Sequence, residues 1–386
     1  MDSLRIHFLT NSIKEAGTYF RFHNLAVGLV KLGQQVTVFS CDPESYSSHR
    51  EELRDGVLYR IVPSFRGKTY FSDASHPLNA LRRCFVDYPV CDIAHLFQPF
   101  LAPAFSWQWV LPQKAKALFY DWDDLWSDGG LLRKPQSFRE YWISFWISYI
   151  ERTFPKKANH VTTCSQFLAN LAKQRNAKRV SIIHNGFWSF TIPDKKLARE
   201  SLGLDPQALY LGYMGTESQE IPWCLQALEM NLAQNENLRL ALCGSEFRSL
   251  KKLSPKVLQR VDFLGLLPPK QTRNFAAALD LGLLPLVDNP FNQSRFPIKY
   301  AEYMAAGTPV LCSDIGECAR ISNDFSWVIK SGKTREQWLE GFEEAVNLIT
   351  NDQLPQVSLS TLKDILSWHS ISKNLLEIYI SELNRA

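Results

Sequence analysis

The strongest chemical constellation in the sequence is FPIKYAEYMAAGTPVLCSD, residues 296–314. Pro297 suits the first turn of a helix, where its missing N–H costs nothing. The unbonded amides of that turn and the positive end of the helix dipole favour a phosphate group. Lys299 falls in the same turn and Arg295 lies just before it. A cation at a helix start opposes the dipole, so its presence points to an anionic ligand. Glu302, three residues on, shares the face of Lys299 and can accept hydrogen bonds from vicinal hydroxyls such as those of a ribose. Gly307 then stops the helix so that TPVLCSD returns as a strand. A surface Lys–Glu pair on a buried helix is the plain alternative, and the surrounding pattern favours the binding site over it.

A second cluster is YDWDDLW, 120–126, with Asp121, Asp123 and Asp124 within four residues. Carboxylates so crowded at a strand terminus are costly to bury unless cations or hydroxyls meet them. A contact to acceptor or sugar hydroxyls satisfies that need, and a raised pKa there can supply a base. A solvated loop with helix-capping aspartates is the alternative. A third candidate is Gly17-Thr18 at a strand-to-helix turn, whose amides can meet a diphosphate or an acceptor, with Arg21 in reach of an anionic acceptor.

These groups need strands and helices to position them. RIHFLT (5–10), a helix over HNLAVGLVKLG (23–33) and QVTVFS (35–40) form one βαβ unit of the mononucleotide-binding kind. GVLYRIV (56–62), CDIAHLF (91–97), KALFYDW (116–122), HVTTCS (160–165) and VSIIHN (180–185) are further strands. The pattern restarts with ALYLGYMG (208–215), a helix at 222–234 and LRLALCG (238–244), both strands ending in glycine. VDFLG (261–265), a helix at 270–278, LGLLPLV (281–287), the helix YAEYMAAG (300–307) and TPVLCSD (308–314) complete it. The expected fold class is therefore α/β, with two Rossmann-like domains facing each other across a cleft. The expected domains are 1–188, 189–365 and a terminal helix over 366–386 that returns to the first domain. The cleft is the default ligand site, because strand and helix ends from both halves face it.

At 386 residues with 45% hydrophobic and 12% aromatic content, the chain is long enough for two or three cores and too apolar for disorder. Eight cysteines show no C-x-x-C pair, which argues against zinc and a disulfide framework and suggests a reducing, cytoplasmic setting. The first residues read as a strand rather than a signal peptide. Residues 1–188 carry 23 Lys+Arg against 16 Asp+Glu, or +7, and residues 189–386 carry 20 against 23, or −3. The aromatic, basic stretch REYWISFWISYIERTF (139–154) is expected to be a large core helix, with placement in a bilayer interface as the alternative. His23, His95 and His160 lack metal-binding spacing and read as structural.

Taken together, these motifs resemble the retaining glycosyltransferases of family 4, of GT-B architecture, along nearly the whole chain. The resemblance runs through AGTYFRFHNLAVGLVKLGQQVTVFS (16–40), IIHNG (182–186), the GYMG and LCG strand ends, VDFLGLLP, EYMAAGTPV and the C-terminal SWHSISKNLLEIYISEL. It implies a nucleotide-diphosphate sugar as co-substrate, with the nucleotide on the C-terminal half and the acceptor on the N-terminal half. Glu302 takes the place of the ribose-binding second glutamate of Glu-x7-Glu, while Ser294 stands where the first would be. No Arg or Lys follows Gly215, where the family usually clamps the diphosphate. Lys299, Arg295 and the amides after Pro297 are the expected substitutes, with Thr216 as a hydroxyl donor and Gly244 beside the nucleobase. Asp123 and Asp124 occupy the places of a His-Asp pair that lines the sugar pocket. Catalysis is thus expected of Asp123, Asp124 and Lys299.

The implied reaction moves a sugar to an acceptor hydroxyl with retention of configuration, in polysaccharide, glycolipid or glycoconjugate biosynthesis. No metal or other cofactor is expected. Asp121-Trp-Asp123 matches the metal-binding D-x-D of a different glycosyltransferase architecture, but a second Rossmann-like half argues against that class. The acceptor is expected to be a glycan, a lipid-linked sugar or a small molecule, with peripheral membrane contact left open and no nucleic acid. A nucleotide-sugar epimerase of the same fold and a non-catalytic nucleotide-sugar binder are the alternatives. The absence of G-x-G-x-x-G after the first strand disfavours a dehydrogenase.

Overall fold

The computed structural model describes residues 3–15, 17–42, 49–64 and 76–385. Ala16, at the head of the glycine-rich stretch, and the terminal residues Met1, Asp2 and Ala386 of the expected domains lie outside the described residues. The chain divides into two compact units: Met1–Asn185 with Trp368–Ala386, and Gly186–Ser367.

The first unit is built on a sheet of β1 (Arg5–Leu9), β2 (Gln35–Ser40), β3 (Arg50–Arg54), β4 (Val57–Ile61), β5 (Cys91–Phe97), β6 (Ala115–Trp122), β7 (His160–Thr163) and β8 (Val180–Ile182). Its order is β3-β4-β2-β1-β5-β6-β7-β8. Every pairing is parallel except β3 with β4. All seven residues of β5 are buried, as expected where helices cover both faces of a parallel sheet. β3 was not anticipated: REELR alternates half-buried and exposed positions along the sheet edge, so it lacks an apolar signature. It joins β4 through Asp55 and Gly56, at φ 47° and 81°, the Asp-Gly hairpin turn that needs two left-handed residues.

The last helix, Trp368–Leu383, packs on this unit. A Cβ on Gly28, in the Tyr19–Lys31 helix, would lie 2.0 Å from Ser372 Oγ, so only glycine allows the two helices to approach this closely. Below them, the Tyr379 hydroxyl lies 2.6 Å from Nδ1 of His95 on β5. Burial pushes the His95 pKa down to about 3, so this imidazole is a neutral structural group.

The aromatic helix, Phe138–Lys157, departs from the expected core element. Its inward side is Ile147, Ile150 and Phe154, all buried, whereas Phe138, Tyr141 and Phe145 are 84%, 62% and 51% exposed. Among the described residues, no helix is long and apolar enough to cross a membrane.

The second unit has β9 (Leu209–Met214), β10 (Leu238–Cys243), β11 (Val261–Phe263), β12 (Leu281–Leu284), β13 (Val310–Ser313) and β14 (Val328–Ser331). They form a six-stranded sheet ordered β11-β10-β9-β12-β13-β14, parallel throughout. Its core includes Leu211, Leu240, Leu283, Leu311, Trp338 and Phe342. The Ile298–Ala305 helix rests directly on the sheet, because a Cβ on Gly282 of β12 would lie 2.5 Å from the Tyr303 ring. The Tyr303 hydroxyl also accepts a hydrogen bond from the Met214 amide at 2.8 Å. Packing and hydrogen bond together fix the rotation of this helix, and so the direction in which Lys299 and Glu302 project.

Candidate functional site

In the second unit, β9 and β10 end side by side at two glycines. The Gly215 amide donates to the Cys243 carbonyl at 2.8 Å and the Gly244 amide to Gly265 at 2.9 Å. Gly215 has φ 134° and Gly244 φ 149°. A Cβ on Gly244 would stand 1.8 Å from the Gly215 carbonyl oxygen, so a side chain there is sterically impossible without moving the backbone. The two turns form a bare peptide surface at the strand ends, which is where open α/β sheets bind ligands.

Lys299 reaches this surface. A Cβ on Gly215 would lie 2.7 Å from its Nζ, and that nitrogen sits 3.8 Å from the centre of the Tyr213 ring. Among the described residues no acceptor hydrogen-bonds the ammonium and no carboxylate pairs with it. Burial, with Arg295 adding repulsion, pushes its pKa down to about 7 despite the attraction of Glu302 and Glu220. An amine so placed is poised for an anion that arrives from outside. Arg295 lies over the Phe291 ring at 4.6 Å, and its buried Nε has no partner. Glu302 is half-buried and projects from the same face as Lys299. Burial raises its pKa, against the opposing pull of Lys299 and Arg273.

Pro297 is displaced by one position from expectation. It caps the helix in an extended conformation at ψ 126°, and the helix begins at Ile298. The amides of Ile298 and Lys299 therefore open the helix without intrahelical acceptors. Thr216 is exposed; its carbonyl accepts from the Tyr213 hydroxyl at 3.0 Å, which holds the turn over the ring that carries Lys299. Acidic residues after Gly215 have structural partners: Glu217 accepts from the Arg248 and Ser249 amides, and Glu220 from Val287 and Asn292. Ser294 is fully buried and donates to the Phe291 carbonyl at 2.8 Å, so the position supplies a hydroxyl already engaged with the backbone and no carboxylate.

The first unit gathers the other candidates. Thr18 Oγ1 donates to Asp123 Oδ2 at 2.5 Å and itself accepts from Gln98 Nε2 at 2.5 Å. Gln98 sits at φ 68°, a strained conformation for a residue with a Cβ and one tolerated where geometry is over-determined. The other carboxylate oxygen of Asp123 is buried without a partner. Burial first, and then the charge of Asp121, raises the Asp123 pKa to about 6. Asp124 follows it, half-buried, and Gly17, at φ 57° with open space around its Cα, starts the turn.

Arg21 does not serve as an acceptor-binding cation. It is 1% exposed and grips Asp121 with Nε at 2.7 Å and Nη2 at 2.9 Å, while Nη1 donates to Asn185 at 3.0 Å. Burial opposes its charge, but the charge and hydrogen bonds of Asp121 outweigh that and hold its pKa above the ordinary value. Asp121 also accepts from Thr162 at 2.5 Å. The carboxylate that a D-x-D reading would offer to a metal is thus saturated by protein donors. Among the described residues, no group of three His, Cys, Asp or Glu is placed to hold a metal.

The structure therefore makes two clusters of the expected residues. Gly215, Gly244, Lys299, Arg295, Pro297, Thr216 and Glu302 belong to one, and Gly17, Thr18, Asp123 and Asp124 to the other. Tyr213 and Gln98 were not anticipated. A tyrosine inside an apolar strand reads as core, and the only hint was its place two residues before Gly215. Gln98 carried no signal, since its role depends on a backbone angle.

Two Rossmann-like α/β units, one presenting a glycine-lined strand end to a cationic helix start, define a protein of the GT-B class. Two family models match: "Glycosyltransferase Family 4" over residues 17–187 and "Glycosyl transferases group 1" over 205–347. A Bacillus subtilis protein named for teichuronic acid biosynthesis, the glycosyltransferase TuaH, is 22% identical over 249 residues, 61% of this chain and 57% of its own. The glycosyltransferase MJ1607 of Methanocaldococcus jannaschii is 25% identical over 221 residues, 52% of this chain and 54% of its own. The matched stretches thus span little more than half the length of these curated relatives. Among solved structures, sucrose-phosphate synthase of Thermosynechococcus elongatus superposes with a TM-score of 0.70 at 14% identity, covering 99% of this chain and 100% of that one. HepE of Anabaena, in complex with UDP and glucose, gives 0.65 at 16% identity, covering 98% and 100%. The chain belongs to the group 1 glycosyltransferases of family 4.

Proposed function

We propose that this chain transfers a sugar from a nucleotide-diphosphate donor to an acceptor hydroxyl, with retention of configuration, in the synthesis of a polysaccharide, glycolipid or other glycoconjugate. The observation that carries the reading is Lys299, whose Nζ rests on the Tyr213 ring beside Gly215 with no anionic partner. A diphosphate set against Gly215 and the amides of Ile298 and Lys299 would supply that partner. HepE, of the same fold, has been solved in complex with UDP-glucose, which supports a uridine nucleotide as the first donor to try.

On this reading Lys299, joined by Arg295, neutralises charge on the departing diphosphate, and Thr216 donates a hydroxyl to it. Glu302 accepts from the ribose hydroxyls. Gly244, at the adjoining strand end, lies beside the base. In the other unit, Asp123 and Asp124 meet hydroxyls of the acceptor or the transferred sugar, with Gly17 and Thr18 shaping the turn beside them. The buried, unpartnered oxygen of Asp123 suits a hydroxyl donor. No carboxylate stands out as a covalent nucleophile, so attack on the face the diphosphate leaves is the mechanism that fits. The chemistry then rests on positioning and leaving-group stabilisation, with no metal or other cofactor. The acceptor is a glycan, lipid-linked or small-molecule hydroxyl rather than nucleic acid. Eight cysteines in the thiol form suit a cytoplasmic enzyme.

The buried Ser294 favours a second reading. Without the first glutamate of the family pair, the protein would bind a nucleotide sugar and not transfer it. The deciding experiment is titration with UDP, GDP and their sugars, followed by product analysis with candidate acceptors. Donor binding that is lost in Glu302→Ala and Lys299→Ala, together with transfer product, supports the enzyme. Binding without transfer or hydrolysis supports the binder. An isomerised nucleotide sugar formed without acceptor makes it an epimerase, and binding indifferent to both substitutions removes this site.

A further inference from the structure

The aromatic helix carries an observation that sugar transfer does not use. At 100° per residue, Phe138, Tyr141, Trp142, Phe145, Trp146 and Tyr149 fall within an arc of about 140°. Phe138, Tyr141, Phe145 and Tyr149 on that arc are exposed. Trp142 and Trp146 are half-buried, and Trp146 meets Phe105 of the neighbouring helix edge-on at 6.2 Å; outside them Phe145 stacks on Tyr149 at 16° between planes. The opposite arc holds buried Ile147, Ile150 and Phe154, so the helix is already anchored to its own unit. The exposed rings of Phe138, Tyr141, Phe145 and Tyr149 add little to that anchoring.

Charge identifies what this arc meets. From Leu131 to Lys157 the sequence has six Lys or Arg and two acidic residues. One of these, Glu151, is fully buried and bonded to Trp122, Trp126 and Ser127. Arg133, Lys134, Arg139 and Lys156 are exposed, Arg152 is exposed but paired with Asp128 at 2.6 Å, and no acidic residue of the helix lies on the aromatic arc. Rings beside basic side chains are the chemistry of the headgroup layer, where aromatics enter the interface and cations meet phosphates.

We infer that the exposed aromatic face of the Phe138–Lys157 helix docks on an anionic lipid bilayer. The helix lies in the plane of the membrane, with Phe138, Tyr141, Phe145 and Tyr149 at acyl-chain depth and Arg133, Lys134 and Arg139 against lipid phosphates. The first unit is thereby held at the membrane surface without a spanning segment. This inference is independent of the proposed sugar transfer, since its readout needs neither donor nor acceptor.

The test is co-sedimentation of the full chain with phosphatidylcholine vesicles, with and without phosphatidylglycerol, alongside the triple variant Phe138→Ser, Tyr141→Ser, Phe145→Ser. The wild type is expected to bind the anionic vesicles, and the triple variant to bind roughly tenfold more weakly from the lost apolar burial. A second variant, Arg133→Glu, Lys134→Glu, Arg139→Glu, is expected to remove the preference for anionic lipid. Far-UV circular dichroism and nucleotide titration confirm that both variants remain folded. Equal binding to neutral vesicles, or unchanged binding by the triple variant, overturns the inference. So does a dimer in light scattering that the triple variant dissolves while vesicle binding is absent, since a second copy would then cover the face.

Discussion

Arg21 is a buried cation and Lys299 a half-buried one, both near a strand end, and they differ in what surrounds them. Arg21 has three nitrogens on two protein acceptors, at 2.7, 2.9 and 3.0 Å. Lys299 has an aromatic face and a glycine. One guanidinium is completed by the fold; the other site is an ammonium that the fold leaves incomplete. The comparison separates a strut from a candidate binding group: a cation that the fold has already paired is accounted for by the structure, whereas one left without an anionic partner at a strand end points to a ligand. The same contrast divides Asp121, saturated by Arg21 and Thr162, from Asp123, whose second oxygen has no donor.

Breaking the strut should produce the largest change. Arg21→Ala leaves Asp121 as a buried, unpaired charge, and loss of one partner of such a pair costs about 3–5 kcal/mol. Urea denaturation measures this, and the double variant Arg21→Leu with Asp121→Leu should recover much of the loss. A cost of only a few tenths would mean that the pair is not a strut.

The opposite pattern is expected at Lys299. Lys299→Met should leave stability nearly unchanged, because no protein hydrogen bond is lost, yet weaken donor binding roughly 10- to 100-fold. The pH profile sharpens this. With its pKa lowered to about 7, Lys299 is charged below that pH and neutral above it, while an anionic donor favours the charged form. Wild-type affinity for a nucleotide sugar should therefore fall as pH rises above 7, with a proton taken up on binding near pH 8. Calorimetry in buffers of different ionisation enthalpy reads that proton directly. The Lys299→Met profile should be flat; an equally steep one would place the titrating group elsewhere.

How far these differences can be read from sequence depends on what creates them. Strands buried on both faces, such as Cys91–Phe97 and Leu238–Cys243, are mostly apolar, and their bounds are legible in the sequence to within a residue. Arg50–Arg54 escaped because an edge strand with half its side chains in water looks like a loop. The Ile298–Ala305 helix announces its cation and glutamate because both lie within one turn of local sequence. The Arg21–Asp121 pair joins residues 100 positions apart, and no spacing rule connects them, so Arg21 read as a free cation. Tyr213 was hidden for a related reason. Its ring serves both as core and as a platform for Lys299, and only the positions of the Tyr303 ring and Gly282 make that platform usable.

The smallest effect concerns Asp123, and it tests whether an incomplete site carries a measurable cost. Burial, and secondarily Asp121, raises its folded pKa to about 6, above the ordinary value of 3.8. The folded state thus binds a proton more readily than the unfolded state between these values. Ionised Asp123 consequently penalises the fold at neutral pH, and the penalty disappears as pH falls through 6 toward 4. Asp123→Asn keeps an acceptor for Thr18 and removes the charge, so the variant should be more stable than wild type at pH 7, by less than the about 3 kcal/mol that the full shift would represent if nothing around the carboxylate adjusted. The advantage should shrink to nothing near pH 4. Denaturation of both proteins across this range decides the matter: a difference that does not vary with pH would mean that Asp123 is solvated in the folded protein and is not the poised acid-base group of the first unit.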